Sequence, residues 1–190
     1  MARRLGVITP RDLTARGIHT QALSRLVRDG GLERVGRGIY RAAAPRVTEN
    51  HGLVLASLGV PGGVVCLLSA LVFHSVGTQI PHEVWIAIDR RAYRPGAGAV
   101  PLRVVRFSGA ALTEGVETHR LEGRTVRVYG LAKTLADCFK YRNKTGTDVA
   151  VEALKQSLAE RKASPAQIDR YARVCRVERV MRPYLEALAE

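Results

Sequence analysis

The segment HTQALSRLVRDGGLERVGRGIYRA, residues 19–42, constrains the fold of this chain more than any other stretch. Its first half predicts a helix from about residue 20 to residue 29 with a single apolar stripe. That stripe consists of Ala22, Leu23, Leu26 and Val27. Gly30 and Gly31 end the helix, and the alternating pattern after them predicts two short strands around Gly36-Arg37-Gly38. A helix followed so closely by a tight hairpin predicts a small module with one shared apolar core.

A shorter helix is predicted just before this segment. Thr9 is typical of an N-cap, Pro10 of a first helical position, and Gly17 ends the helix. Helix, turn, second helix and hairpin is the element order of a winged helix-turn-helix. That module usually has about three helices, but only Met1–Gly6 precede the first predicted one, too few for a packed helix. We therefore expect a module over residues 1–44 that lacks its first helix. Two explanations are open: the natural start of the protein lies upstream, or the core of the module is open on one side.

The charge of the chain favours a polyanionic partner. The 190 residues include 30 Lys and Arg against 17 Asp and Glu, which gives a formal net charge of +13. Ten arginines and three acidic residues lie in residues 1–48, so more than half of the net charge falls in a quarter of the chain. A basic stretch concentrated on one small module is the electrostatic footprint of nucleic-acid binding.

The predicted second helix and hairpin offer side chains suited to reading duplex DNA. The helix face opposite the apolar stripe carries Gln21, Ser24, Arg25 and Arg28. Glutamine can bind adenine, arginine can bind guanine or phosphate, and serine can bind either of these. Arg37 projects from a narrow glycine turn that suits the minor groove, with Arg34 and Arg41 flanking it toward phosphates. The alternative is that these arginines form a solvated helix face and that the turn is only a hairpin.

The remainder, residues 45–190, predicts a larger domain with helices and strands, so that the whole chain belongs to the α+β class. Apolar periodicity predicts helices over residues 49–58 and 66–76, and then strands over 83–88, 102–107, 116–121 and 125–129. A final run of helices follows over residues 131–142, 147–161, 165–175 and 177–189.

Neither a disulfide framework nor a membrane span is expected. The three cysteines lie far apart in the sequence, which fits a reducing compartment. Residues 52–73 carry no charge, but the turn at residues 59–63 divides them into two buried helices. Since no apolar signal core follows the basic N-terminus, we expect a cytoplasmic protein.

Three stretches of the sequence resemble one known family. LSRLVRDGGLERVGRGIYR resembles the winged-helix module of AbiEi-type antitoxins, from the abortive-infection E (type IV) toxin–antitoxin systems of phage defence. VVCLLSALVFHSVGTQIPHEVWIAI and LAKTLADCFKYRNKTG resemble the second domain of that family, so the resemblance extends over about residues 7–185.

The resemblance implies a transcriptional repressor of its own operon that binds inverted repeats in duplex DNA. It also implies an antitoxin that counteracts a nucleotidyltransferase-like toxin without forming a stable complex with it. The family's DNA-reading positions fall on Gln21, Ser24, Arg25, Arg28, Arg34, Arg37 and Arg41 of this chain.

Two further basic groups form a possible second surface for nucleic acid or for the antitoxin activity. One is the loop RRAYRPGAGAVP, where Tyr93 is interleaved with Arg90, Arg91 and Arg94. The other lies on one side of the predicted helix 131–142 and just past its end, and consists of Lys133, Lys140, Arg142 and Lys144. The alternatives are an ordinary mobile loop and a surface helix with ion pairs such as Lys133 with Asp137.

No catalytic or metal-binding constellation is recognisable in the sequence. VYGLAKT, residues 128–134, lacks the glycines that a phosphate-binding loop requires. The histidines and cysteines do not have the spacing of metal ligands, so no metal and no cofactor is expected. We therefore expect a regulator that is not an enzyme. The alternatives are a nuclease-like enzyme that processes nucleic acid and an orphan regulator without a toxin.

Overall fold

The computed structural model describes residues 6–42, 48–96 and 98–188, which contain ten helices and two β-sheets. The N-terminal part comprises β1 (Val7–Ile8), α1 (Pro10–Thr14), α2 (Gln21–Arg28), β2 (Leu32–Gly36) and β3 (Ile39–Ala42). The second part begins with α3 (His51–Gly59), β4 (Val64–Val65), α4 (Leu67–Phe73), β5 (Val84–Asp89), β6 (Leu102–Phe107), α5 (Ala110–Thr113), β7 (Val116–Leu121) and β8 (Arg124–Tyr129). It ends with α6 (Leu131–Lys140), α7 (Arg142–Thr145), α8 (Thr147–Ala159), α9 (Pro165–Val174) and α10 (Glu178–Ala187). The α+β class expected from the sequence is confirmed.

The N-terminal part has a three-stranded antiparallel sheet in the order β1-β3-β2. Its small core combines Ile8, Leu13, Leu23 and Leu32 from both helices and two strands. Thr9 begins α1 as predicted, because its backbone N–H and its hydroxyl both donate to Asp12 Oδ2, at 2.7 and 2.8 Å. The predicted apolar stripe on α2 is wrong at one position, because Leu26 is 43% exposed.

The second sheet has five strands in the order β6-β5-β4-β8-β7. The pairs β5/β6 and β4/β8 are parallel, whereas β4/β5 and β7/β8 are antiparallel. The central strand β4 and its neighbour β8 supply buried valines, Val64, Val65, Val126 and Val128. The C-terminal helices α8, α9 and α10 pack around α6, whose apolar side chains join the largest hydrophobic cluster of the protein.

Lys133 and Asp137 form an ion pair inside this cluster. Lys133 is 0% exposed, and its Nζ lies 2.6 Å from Asp137 Oδ2 and 4.2 Å from the centre of the Tyr129 ring. Burial raises the pKa of Asp137 to about 6, although Lys133 beside it opposes the rise. The expectation that Lys133 belongs to a basic surface is therefore wrong, because the helix face with the lysine turns toward Tyr129 and Phe107.

The two parts share a hydrophobic cluster. Val7 and Ile39 from the small sheet pack with residues of α3, β4, α4 and β8. These partners are Val54, Leu55, Val65, Ala70, Val126 and Val128. The second part thus covers an apolar side of the N-terminal sheet. The expected boundary between residues 44 and 45 lies outside the described residues, as does most of the segment before β1.

Polar contacts also join the two parts. The Arg124 guanidinium, at the start of β8, lies 2.6 Å from both carboxylate oxygens of Asp12 and donates to the Val7 carbonyl at 2.5 Å. Each of the two ionic side chains is less than a fifth exposed. This charged and largely shielded contact orients α1, and with it the small core that carries α2, relative to the larger sheet.

Within the described residues, no helix is both long enough and apolar enough to cross a bilayer. The uncharged stretch around residues 52–73 forms α3, β4 and α4, separated by turns.

Candidate nucleic-acid interface

The second helix, α2, presents one continuous polar face. Leu23 is buried against the small core, and the four polar side chains predicted to read DNA are all exposed. These are Gln21, Ser24, Arg25 and Arg28, which line one shallow groove together with Ile18 and His19. His19 Nδ1 accepts a hydrogen bond from the Gln21 backbone N–H at 3.2 Å and so satisfies a donor at the start of the helix.

The groove contains an apolar element that sequence reasoning did not identify. Ile18 is 43% exposed, and Leu26 on α2 is equally exposed. In the major groove, apolar side chains contact the methyl group of thymine. Helical periodicity did not single out Ile18, because it lies between the two predicted helices.

The charges on α2 are available to an external partner. Within the part of the chain that the structure describes, neither Arg25 nor Arg28 has an acidic group within ion-pair distance. An unpaired guanidinium on an exposed helix retains all its donors for a phosphate or for the edge of guanine.

The hairpin of β2 and β3 ends in a two-residue turn. Gly36 pairs with Ile39, so the turn consists of Arg37, which is exposed, and Gly38, whose φ of +69° favours glycine. A Cβ placed on Gly36 would lie 3.1 Å from that of Ala99, so the end of β2 next to the turn packs closely on the loop before β6. Arg37 therefore projects from a turn that is held at its base.

The two arginines that flank the turn differ in their contacts. Arg34 Nε donates to the Gly36 carbonyl at 3.4 Å. Arg41 Nη2 lies 2.6 Å from Glu33 Oε2, and these two residues face each other across β2 and β3. Arg41 is thus already neutralised within the hairpin, whereas Arg37 has no acidic partner among the described residues.

The basic residues of the second part are brought together by a residue that sequence reasoning missed. Arg106 Nη1 donates to the carbonyl oxygens of Arg90 and Ala92, at 2.7 and 2.9 Å. The Tyr141 hydroxyl donates to the Arg106 carbonyl at 3.1 Å. The loop after β5 and the end of α6 therefore lie side by side. Strand alternation gave no signal for Arg106, because Arg103 and Arg106 are three residues apart and therefore lie on opposite faces of β6.

Most of the second basic group is accessible. Arg90, Arg91, Arg94, Lys140 and Lys144 are exposed, whereas Arg142 is half-buried and donates to the Phe139 carbonyl at 3.0 Å. Of the residues proposed from the sequence for this surface, Lys133 alone is buried.

The three cysteine thiols lie away from solvent. Cys66, Cys138 and Cys175 are all buried, and burial raises the pKa of each thiol, to about 12 for Cys175. At neutral pH these groups are therefore protonated and poorly nucleophilic. Among the described residues, no group of three or more His, Cys, Asp or Glu is placed to hold a metal ion.

Comparisons with known proteins agree with parts of this description. Residues 2–43 match a family model described as a transcriptional regulator, AbiEi antitoxin. No curated protein matches the chain. A similar solved structure is that of the RV2827C protein from Mycobacterium tuberculosis, with a TM-score of 0.57 and 18% sequence identity. The similarity covers 87% of this chain and 65% of that one, so the chain spans less than two thirds of that protein, and the likeness concerns the fold.

Proposed function

We propose that this chain is a DNA-binding transcriptional repressor that controls its own operon and is the antitoxin of a type IV toxin–antitoxin system. The observation that carries the proposal is the exposed face of α2, where two unpaired arginines lie in one groove with glutamine and serine. The match of residues 2–43 to a regulator and antitoxin family supports it independently.

In the proposed complex, α2 enters the major groove of duplex DNA. Gln21 pairs with adenine, Ser24 contacts a neighbouring base, and Arg25 and Arg28 take guanine or phosphate. Arg37 enters the adjacent minor groove from the turn of the hairpin, with Arg34 beside it facing the backbone. An operator with inverted repeats would be read by more than one copy of this module.

The antitoxin activity is assigned to the second part. The toxin is expected to be a nucleotidyltransferase-like enzyme that forms no stable complex with the chain. The two stretches that resemble the antitoxin family there form β4, α4, β5, α6 and α7. Many of their apolar side chains lie in the largest hydrophobic cluster. These stretches therefore maintain the fold, and the activity would depend on the exposed residues around them.

DNA binding is tested by fluorescence anisotropy on the gene's own upstream DNA and on a scrambled duplex, over a series of salt concentrations. We expect a clear preference for the upstream DNA and a steep fall of affinity with salt, because each phosphate contact releases counterions. Equal and weak binding to both duplexes would contradict the proposal.

Arg25→Ala gives a sharper test of the reading helix. We expect it to weaken binding to upstream DNA by about 1–3 kcal/mol and to reduce the preference over scrambled DNA. Arg120→Ala removes an exposed arginine of β7 and is the matched control. An equal loss on both duplexes would mean that Arg25 contacts only phosphate.

The antitoxin activity is tested by coexpression with the product of a neighbouring toxin gene. The wild-type chain and the variant Arg25→Ala/Arg28→Ala should both restore growth, since the activity is assigned to the second part. If neither chain restored growth, the protein would be a regulator without a toxin.

A further inference from the structure

We propose that the second part carries a separate site for single-stranded nucleic acid, at the end of the five-stranded sheet remote from the hairpin turn. We call it the distal basic surface, and it consists of Arg90, Arg91, Tyr93, Lys140, Lys144 and Arg176. The cations would bind the phosphates, and Tyr93 would stack on an unpaired base. This activity is independent of the proposed operator binding.

Arg106 and Tyr141 build this surface from segments that are distant in sequence. Arg106 holds the carbonyl oxygens of Arg90 and Ala92, and the backbone N–H of Arg91 donates to Asp89 Oδ1 at 2.7 Å. The Tyr141 ring stacks on Phe107 with 5.2 Å between centroids, and Lys144 Nζ lies 5.6 Å from its centre. The loop that follows β5 is therefore fixed beside the end of α6.

The distal basic surface is not neutralised by the protein. Within the described residues, none of its five cations has an acidic group within ion-pair distance. The nearest buried carboxylate, that of Asp137, is already occupied by Lys133. Three of the four arginines on the neighbouring helices α9 and α10 differ, because Arg170, Arg173 and Arg182 are paired with Glu114, Asp169 and Glu178.

Two features favour a single strand over a duplex. The Tyr93 side chain is 99% exposed and lies between arginines, as in the stacking platforms that bind unpaired bases. A cavity of about 340 Å³ is lined by Arg106, Ser108, Asp137, Lys140, Tyr141 and Arg176, and Arg106 also holds the carbonyl oxygen of Ala92, the residue before Tyr93. This volume suits a small group such as a nucleobase, whereas the bases of a duplex are already stacked and paired.

The location separates this surface from the proposed operator contacts. The hairpin of the N-terminal part packs on Ala99, near the amino ends of β5 and β6. Arg90 follows the carboxyl end of β5, where its N–H donates to the Phe107 carbonyl at 2.9 Å. Strands of six residues place these two ends about 20 Å apart.

The test is fluorescence anisotropy of the full chain with labelled 12-nucleotide RNA, 12-nucleotide DNA of the same sequence and the corresponding blunt duplex. We expect Arg91→Glu/Lys140→Glu to weaken single-strand binding at least tenfold. The magnitude of the slope of log affinity against log salt concentration should fall by about 1.4, because two phosphate contacts are lost. The control Arg120→Glu/Lys155→Glu makes the same change of net charge at exposed positions of β7 and α8, and should leave binding unchanged.

Tyr93 distinguishes single strands from a general polyanion site. Tyr93→Ser should weaken single-strand binding about fivefold or more without changing duplex binding, whereas Tyr93→Phe should retain the affinity. A preference for RNA over DNA would identify contacts with the 2′-hydroxyl, and equal affinity would identify backbone and base contacts alone. An unchanged single-strand affinity in the double variant, or in Tyr93→Ser, overturns the proposal.

A further variant separates this proposal from operator binding. The variant Arg25→Ala/Arg28→Ala should no longer bind upstream duplex DNA with preference, but its affinity for single strands should be unchanged. If the wild-type chain bound single strands but showed no preference for upstream DNA, only the repressor function would fail. If the wild-type chain bound upstream DNA with preference but the variants of the distal basic surface bound single strands normally, only the proposal of the distal site would be wrong.

Discussion

The Lys133–Asp137 pair shows how much depends on single residues in this fold. Both side chains are essentially inaccessible to solvent, and Cys175 Sγ lies 3.2 Å from Asp137 Oδ1. Two opposite charges in such a place stabilise each other only as a pair, because each alone would be an uncompensated buried ion. The pair therefore has a large effect when it is broken and a small one when both partners are replaced together.

We expect Lys133→Met to lower the free energy of unfolding by about 3–5 kcal/mol, because it leaves the Asp137 carboxylate without its cationic partner. The double variant Lys133→Met/Asp137→Leu should recover most of this loss. Urea unfolding followed by far-UV circular dichroism measures both. Arg173→Met is the control, since it breaks the exposed pair with Asp169 and should cost less than about 1 kcal/mol. A double variant less stable than Lys133→Met would show that Asp137 contributes through contacts other than the lysine, such as that with Cys175 Sγ.

The two arginines of the hairpin should contribute unequally to DNA binding. Arg37 is unpaired at the turn, whereas Arg41 is held by Glu33 and would have to leave it to reach a phosphate. We expect Arg37→Ala to weaken binding to upstream DNA clearly more than Arg41→Ala does, and Arg41→Ala to act almost equally on all sequences. Anisotropy titrations of the two variants at the same salt concentration measure the difference. A larger loss for Arg41→Ala would mean that the ion pair opens in the complex.

Among the elements, α1 and β8 meet in a contact that depends on pH. Burial alone would raise the pKa of Asp12, but the hydrogen bonds from Arg124 and Thr9 outweigh it and lower the pKa to about 2. Because this is below the value of 3.8 for an unperturbed aspartate, ionised Asp12 stabilises the fold above about pH 4. The contribution is lost as the pH falls from about 4 to about 2.

We expect Asp12→Asn to be less stable than the wild-type chain by about 2 kcal/mol at pH 6, with the difference shrinking toward pH 2. Urea unfolding at pH 6, 4 and 2.5 measures this convergence. Asp169→Asn, on the exposed pair of α9, is a control with little expected change at any of these pH values. A constant difference between Asp12→Asn and the wild-type chain would show that the carboxylate acts by its shape and not by its charge.

Elements with strong local signals were predictable from the sequence. α1 begins at Pro10 with Thr9 as its cap, and the hairpin turns at Arg37-Gly38 as the glycines indicated. β6 and β7 have the predicted bounds. In each case the deciding interactions lie within a few residues, or the apolar alternation is long enough to be recognised.

Elements that depend on distant partners were not predictable. β1 and β4 have two residues each, too few to show alternation, and they exist because Val7 pairs with Arg41 and Val65 with Val128. Helical periodicity on α6 placed Lys133 on a polar face. It could not show that Tyr129 and Phe107 would cover that face, because a ring contact between separate elements leaves no local pattern.

For the candidate site, the sequence located the exposed face of α2 and the arginine at the turn. It did not locate Arg106, which joins the two basic groups of the second part, or the neutralisation of Arg41 by Glu33. Both depend on register and on the position of a loop, which residue types alone do not determine.

At the scale of the whole molecule, the N-terminal part and the larger part are not joined by a chain segment alone. Val7 and Ile39 are buried together with Val54, Leu55 and Val126 of the second part. A three-stranded sheet with only two short helices has few other apolar contacts, since its own core has four buried residues. The stability of the module that carries α2 should therefore depend on the larger part.

We expect the two parts to unfold together. Trp85, the one tryptophan of the chain, lies in β5 and reports on the five-stranded sheet, and hydrogen exchange of residues 21–28 reports on α2. In urea both probes should give the same midpoint. Leu55→Ala should lower both by the same free energy, about 2–5 kcal/mol, because it removes a buried side chain from the shared cluster. Leu26→Ala, at an exposed position of α2, is the control and should change neither by more than about 0.5 kcal/mol. An earlier transition for residues 21–28 that Leu55→Ala leaves unchanged would mean that the module folds on its own small core, as an independent domain ending near residue 44 would.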